Sequence, residues 1–279
     1  MLVAGLLFAC MGVLVKLGGP HFSTSELVFY RSLFGLFIVF AMQHRQQVPL
    51  ATALWQGHLW RGLSGTFAMM LFFYCISVLP LATAITLNYT SSLFLTILTL
   101  VVYKDRLHWP LIASLTLGFV GVVLLLHPTL ERDQFVSGLL GLASGFLAGF
   151  ALLNVRQLGL MGEPAVRVVF YFNLVATLVS GAWVTQTEIH AVAWSDLPLL
   201  VALGASATFA QLAMTRAYRI GQTQVVSTLS YSTIVFSALF GLLFWQELLP
   251  PVAWLGIALI IASGVISLRL APTHKEASK

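Results

Sequence analysis

Apolar runs close to twenty residues long follow one another along this chain, separated by short segments that hold its prolines and nearly all its charges. A helix rises about 1.5 Å per residue, so about twenty apolar positions match a hydrocarbon core about 30 Å thick. The runs predict ten helical spans, at 2–18, 25–43, 60–79, 81–103 and 108–127 and then at 138–158, 164–185, 197–218, 222–245 and 251–270. Pro20, Pro49, Pro80, Pro110, Pro128, Pro164, Pro198, Pro250, Pro251 and Pro272 all fall in a loop or near a span end, where a missing N–H costs little. No proline breaks a span, so the pattern predicts continuous helices, not the discontinuous ones that some carriers use.

Matching residues recur at a fixed offset. Tyr89 and Tyr231 lie 142 positions apart, and at that offset Thr66-Phe67-Ala68 recurs as Thr208-Phe209-Ala210 and Asp105-Arg106-Leu107 as Glu247-Leu248-Leu249. The chain therefore reads as two copies of one unit, residues 1–127 and 138–270, followed by a tail at 271–279. Five spans in each copy, an odd number, place the second copy upside down relative to the first, an arrangement found in carriers. The expected fold is an all-α integral membrane protein of ten transmembrane helices in two inverted five-helix repeats.

Composition agrees. Hydrophobic residues make up 59% and charged residues 8%, with a mean hydropathy of +0.94, whereas about a quarter of a soluble domain is charged. With the N-terminus placed in the cytoplasm, the inward loops and tail carry 11 of the 14 basic residues, namely Arg45, Arg61, Lys104, Arg106, Arg156, Arg167, Arg216, Arg219, Arg269, Lys275 and Lys279. The outward loops keep only Arg132 and hold Glu26, Glu131, Asp133, Glu188, Asp196 and Glu247. The net charge of +5 is thus an inner-leaflet bias, not a nucleic-acid footprint. Both termini are expected to be cytoplasmic. The first run lacks the basic start and small-residue cleavage site of a signal peptide and is expected to be retained. Cys10 and Cys75 sit in apolar spans as small hydrophobes.

Catalytic and metal patterns are missing. The seven histidines lie in loops or at span ends with no paired helical spacing, and neither a phosphate-cradling loop nor a nucleophile elbow occurs. No catalytic residue, metal or cofactor is expected. Gly141, Gly145 and Gly149 share one helix face, which signals close helix packing, with a sliding surface as the sharper alternative. All nine acids lie in loops, tails or span ends, so no carboxylate is expected at the membrane midplane.

Two basic groups enter the membrane. Lys16 is expected to snorkel to the interface. Arg31 is deeper, and a buried guanidinium needs an anion or carbonyl partner, so it is either a structural clamp or a contact for an anionic part of a solute. Neutral polar residues carry the rest of the expected recognition: Thr66, Tyr74, Asn88, Tyr89 and Ser92 in the first copy, and Thr208, Gln211, Ser230 and Tyr231 in the second. Asn88 and Gln211 cannot face lipid without losing hydrogen bonds worth several kcal/mol. Helix-to-helix bonding explains any single Ser or Thr, but Asn88-Tyr89 and Ser230-Tyr231 at matching depth point to a cavity wall.

The chain resembles the drug/metabolite transporter superfamily, specifically its ten-span members with two EamA-type repeats. The resemblance rests on Lys16 ending the first span with Arg156 in the second copy, Phe29-Tyr30-Arg31 early in span two, Leu87-Asn88-Tyr89 in span four, and an acid closing spans four and nine, Asp105 and Glu247. It implies a multi-pass carrier of the bacterial inner membrane with a central cavity lined by both repeats, and spans five and ten at the periphery, where some relatives form homodimers. The implied partners are membrane lipid and a small-molecule substrate. Thr90-Ser91-Ser92 follow Asn88-Tyr89 where the aromatic amino-acid exporters of this superfamily carry Leu-Trp-Pro, which argues against that substrate. Relatives have a short cytoplasmic segment before the first span, which leaves the completeness of this N-terminus open. The expected function is export of a small organic metabolite, amino-acid-like and zwitterionic or weakly anionic, by alternating access. Uptake of a riboflavin-like or S-adenosylmethionine-like solute is the alternative, and a lipid-modifying enzyme or a channel fits the residues less well.

Overall fold

The computed structural model describes residues 1–103, 109–129, 135–186, 190–220, 226 and 229–270. Asp105 to Leu107, the segment 130–134 and the tail 271–279 lie outside the described residues. All regular structure among the described residues is helical: α1 Leu2–Gly18, α2 Thr24–Gln46, α3 Trp55–Val78, α4 Leu81–Tyr89, α5 Ser91–Tyr103, α6 Trp109–Thr129, α7 Phe135–Leu160, α8 Ala165–Val184, α9 Leu197–Ile220, α10 Ser232–Trp245 and α11 Pro251–Leu270. Among the described residues six stretches are long and apolar enough to cross a membrane, α4 and α5 being taken together as Leu81–Thr99, and α1, α10 and the Pro251–Ile266 part of α11 are shorter apolar stretches.

The ends of these helices have local causes. Ser23 and Glu26 form a reciprocal capping box that starts α2, the Ser23 N–H donating to Glu26 Oε2 at 2.7 Å and the Glu26 N–H to Ser23 Oγ at 3.3 Å. Pro80 and Pro164 stand immediately before α4 and α8, where the chain is extended. The third span begins at Trp55 rather than near residue 60, which carries Arg61 from an expected loop into the helix.

The expected continuous span at 81–103 is interrupted. α4 ends and α5 begins on either side of Thr90, with no proline nearby. Threonine hydroxyls supply the cause: Thr86 Oγ1 donates to the Ala82 carbonyl and Thr90 Oγ1 to the Leu87 carbonyl, each at 2.6 Å. The Thr90 N–H is shared between the Thr86 and Leu87 carbonyls at 3.2 Å each. Such back-bonding competes with the helix ladder and bends it. In the second half the described helix starts at Ser232, with a turn at Tyr231, so the expected span from 222 to 245 is broken near the matching place.

The glycine face of α7 meets this break. A Cβ at Gly145 would lie 2.7 Å from the Leu87 carbonyl oxygen, and one at Gly149 would lie 2.9 Å from that of Ser91. Only glycine lets α7 approach the bent backbone this closely, which is the close-packing reading of the stripe.

Packing between the halves is reciprocal. α1 packs on α9 as α3 packs on α7, α1 meets α10 as α5 meets α7, and α2 packs on α8 while α6 packs on α11. The last pair is tied by Ser114 Oγ donating to the Ser263 carbonyl at 2.9 Å and Ser263 Oγ to the Ser114 carbonyl at 2.5 Å. Between these layers the core gathers Leu27, Phe73, Ile76, Leu81, Ile85, Leu87, Leu200 and Leu203, all buried.

Candidate functional site

A cavity of about 130 Å³ opens inside this packing, lined by residues of nine helices. It reaches Met1 at the start of α1 and Tyr218 near the end of α9. Its walls are largely apolar, with Phe8, Met11, Met69, Phe72 and Met214 among them, and its polar groups converge from both halves. Asn88, at the end of α4, donates to Ser144 Oγ at 2.6 Å, and Ser144 Oγ donates to the Ala68 carbonyl at 3.1 Å. The Tyr89 hydroxyl donates to Thr233 Oγ1 at 2.8 Å, joining α4 to α10. The break at Thr90 therefore sets Asn88, Tyr89, Ser91 and Ser92 around one corner of the cavity.

Two arginines dominate its chemistry. Arg31 on α2 and Arg61 on α3 are 1% and 4% exposed. Their guanidinium carbons lie 5.1 Å and 4.1 Å from the centre of the Phe172 ring on α8. Arg31 Nη1 donates to Asn173 Oδ1 at 3.4 Å, and Arg61 Nη2 donates to Gln211 Oε1 at 3.3 Å. Gly65, one turn after Arg61, leaves space for this guanidinium, since a Cβ there would collide with Arg61 Nη1 and lie 2.9 Å from the Phe172 ring. By its place in the loop pattern Arg61 belongs at the cytoplasmic surface; the glycine four residues further on is the signal that marks its face as crowded and inward.

Six expected site residues come together here: Arg31, Asn88, Tyr89, Ser92, Gln211 and Ser230 line the cavity. Four do not line it. Thr66 is buried and donates to the Gly62 carbonyl of its own helix at 2.7 Å. Tyr74 is 39% exposed on the outer surface of the helices. Thr208 is buried between helices, against Gly35. Tyr231 stacks near Tyr89 with ring centres 6.5 Å apart, yet it is 3% exposed and its hydroxyl points at Gly264 on α11. Equal sequence position thus gave the two tyrosines different places, one at the wall and one behind it.

The opposite end of the bundle is tied shut. Lys16, expected to snorkel, instead forms an ion pair with Glu247 and lies 5.1 Å from the Trp245 ring. Glu247 also accepts the Leu81 N–H at 2.8 Å, so one carboxylate joins α1, the start of α4 and the end of α10. Nearby, the buried Glu26 accepts from the His190 N–H at 2.7 Å and bonds its ring at 2.9 Å. Beyond the cavity end, Glu163 holds Thr52 and Arg167 at 2.7 Å and 2.9 Å, with His58 at 3.5 Å. Among the described residues no three His, Cys, Asp or Glu side chains gather in a way that could hold a metal ion.

A profile of the EamA-like transporter family matches residues 1–127 and again 136–269. The chain belongs to the EamA-like transporter family. Two family units thus meet at this cavity, each supplying part of its wall. An uncharacterized transporter of Helicobacter pylori is 28% identical, the match covering 95% of this chain and 92% of that one. The pseudopaline exporter of Pseudomonas aeruginosa is 29% identical over 95% and 90% of the two chains. An S-adenosylmethionine uptake transporter of Rickettsia prowazekii is 24% identical over 84% and 79%. A protein known from a crystal structure superposes with a TM-score of 0.66 at 20% identity, over 97% of this chain and 98% of its own, and shows the shared fold. This EamA-like transporter accordingly places its buried cations inside the bundle, between its two family units.

Proposed function

We propose that this EamA-like transporter is a secondary carrier exporting a small organic metabolite, amino-acid-like and zwitterionic or weakly anionic, across the bacterial inner membrane by alternating access. Ten spans in two inverted repeats, with both termini in the cytoplasm, place the cavity mouth at Met1 on the cytoplasmic side and the Lys16–Glu247 tie on the outside. The observation that carries this reading is a largely apolar cavity, with polar groups converging from both halves, that reaches one end of the bundle while Lys16, Glu247 and Leu81 hold the other end together. Parting that tie and closing around Met1 and Tyr218 would expose the same groups to the opposite side, with Arg31, Asn88, Tyr89, Ser92, Gln211 and Ser230 binding the solute. Thr66, Tyr74, Thr208 and Tyr231 then support the fold around it. The exporter of Pseudomonas aeruginosa supports the outward direction.

Uptake of a nucleotide-like cofactor is the second reading, favoured by the relatives named as carriers of S-adenosylmethionine and riboflavin. Metabolite profiles of cells and medium, compared with and without the protein, test both. Export raises one solute inside the deletion strain and lowers it outside; uptake does the reverse. Saturable exchange of that solute in liposomes is expected of a carrier, whereas a non-saturating conductance or a chemically altered solute would sink this proposal.

A further inference from the structure

Two guanidinium groups share one aromatic ring in a chain whose other described cations find carboxylates or the surface. Arg31 and Arg61 both lie against Phe172, so their carbons can be no farther apart than their two distances to that ring combined. Both are buried, and both Nε atoms lack a hydrogen-bond partner. Among the described residues, the side-chain acceptors that meet them are the neutral amide oxygens of Asn173 and Gln211.

No carboxylate among the described residues comes to their aid. Glu26 serves Ser23 and His190, Glu163 serves Thr52, Arg167 and His58, Glu247 serves Lys16 and Leu81, and Asp196 accepts the Ala193 N–H at 3.0 Å. Like charges buried side by side repel each other and lose hydration, and amide dipoles offset only part of that loss. An aromatic face adds a modest attraction. A structural clamp needs one charge and a carbonyl; two cations opening on a cavity match an anion with more than one negative oxygen pair.

Resting on the carrier reading, we propose that Arg31 and Arg61 jointly bind a doubly anionic part of the transported solute, two carboxylates or one phosphoryl group, beside Phe172. The planar forks leave donors on each guanidinium beyond those held by Asn173 and Gln211, enough for an oxygen pair at each arginine. Gly65 keeps the Arg61 fork seated, and the apolar walls take the remainder of the solute.

The test is thermal melting of the purified full chain in detergent, titrated at constant ionic strength with succinate, glutarate, adipate, inorganic phosphate and glycerol 3-phosphate, against acetate and chloride. At least one dianion is expected to raise the melting temperature with half-saturation about tenfold below that of acetate. A length preference among the dicarboxylates marks the two-carboxylate source; response to phosphate and its ester marks the phosphoryl source. Arg31→Lys and Arg61→Lys keep the charge and lose the fork, so each should weaken the response at least about tenfold, whereas Arg219→Lys should leave it unchanged. Gly65→Ala, which removes no charge, should weaken it as Arg61→Lys does, and it keeps the question open to test if a lysine variant unfolds. Dianions no better than chloride on the wild type, or full responses in both lysine variants, overturn the inference. Liposome exchange separates the two readings: dianion binding without any exchange rejects the carrier and leaves the site, while saturable exchange of a solute that dianions do not inhibit rejects the site and leaves the carrier.

Discussion

The two halves of this chain share a packing plan and differ in charge. Positions 142 apart meet across the centre twice: Arg31 donates to Asn173, and Tyr89 stacks near Tyr231. At the same offset Arg61 answers to Leu203, and Met69 answers to Gln211. The first half therefore supplies both buried cations, and the second supplies the amide oxygens that hold them. Two segments that match one family share a packing plan, while the residues at matched places take complementary roles.

The sharpest way to break that comparison is the tyrosine pair. Tyr231→Ala empties a buried site behind the wall and is expected to cost about 3–5 kcal/mol of stability, read as lost abundance and lowered melting. Tyr89→Ala should keep abundance and lose transport. Equal loss of transport with full abundance in both would restore the view that the two rings flank the solute alike. Next in size is an exchange of Arg31 and Asn173. Arg31→Asn alone should weaken solute binding by about 2–5 kcal/mol, and adding Asn173→Arg should recover part of it in a liposome competition assay. No recovery would mean that the position of the charge, as well as its presence, is fixed by the first half.

Gly65→Ala follows, at about 1–3 kcal/mol, the usual range for overpacking, seen as impaired transport by a protein inserted at normal levels. The smallest effect belongs to Glu163. Burial alone would raise its carboxyl, but hydrogen bonds from Thr52 and Arg167 and the charges of Arg167 and His58 outweigh it and hold it below the ordinary range. A depressed carboxyl contributes stability that is complete above its unfolded value of about 4.3 and is lost as the pH falls through the lower folded value. Glu163→Gln should therefore flatten the acid side of the melting profile by about 1 kcal/mol or less, and an unchanged acid side would show that this cluster does not contribute.

Helix positions were legible because apolar runs and prolines mark them, and most described ends fall within a few residues of those expected. The break at Thr90 was not, since no proline announces it and threonine hydroxyls turned back on their own helix look like any other polar residue in a span. The cavity was half legible. Asn88 and Gln211 declare themselves because amides cannot face lipid, whereas Thr66 can satisfy its hydroxyl on Gly62 and needs no cavity at all. Arg61 hid in the loop tally because a basic residue near a span end usually belongs to the interface. Lys16 hid in the same way, because its partner Glu247 lies 231 positions away.

That ion pair has an electrical consequence. A membrane potential does about 2.3 kcal/mol of work per 100 mV on each elementary charge that crosses the full field. Lys16 and Glu247 touch, so they sit at one depth with opposite signs, and the work done on one as they shift together cancels that done on the other. A tie built from a matched pair thus responds little to voltage for as long as the two groups stay together.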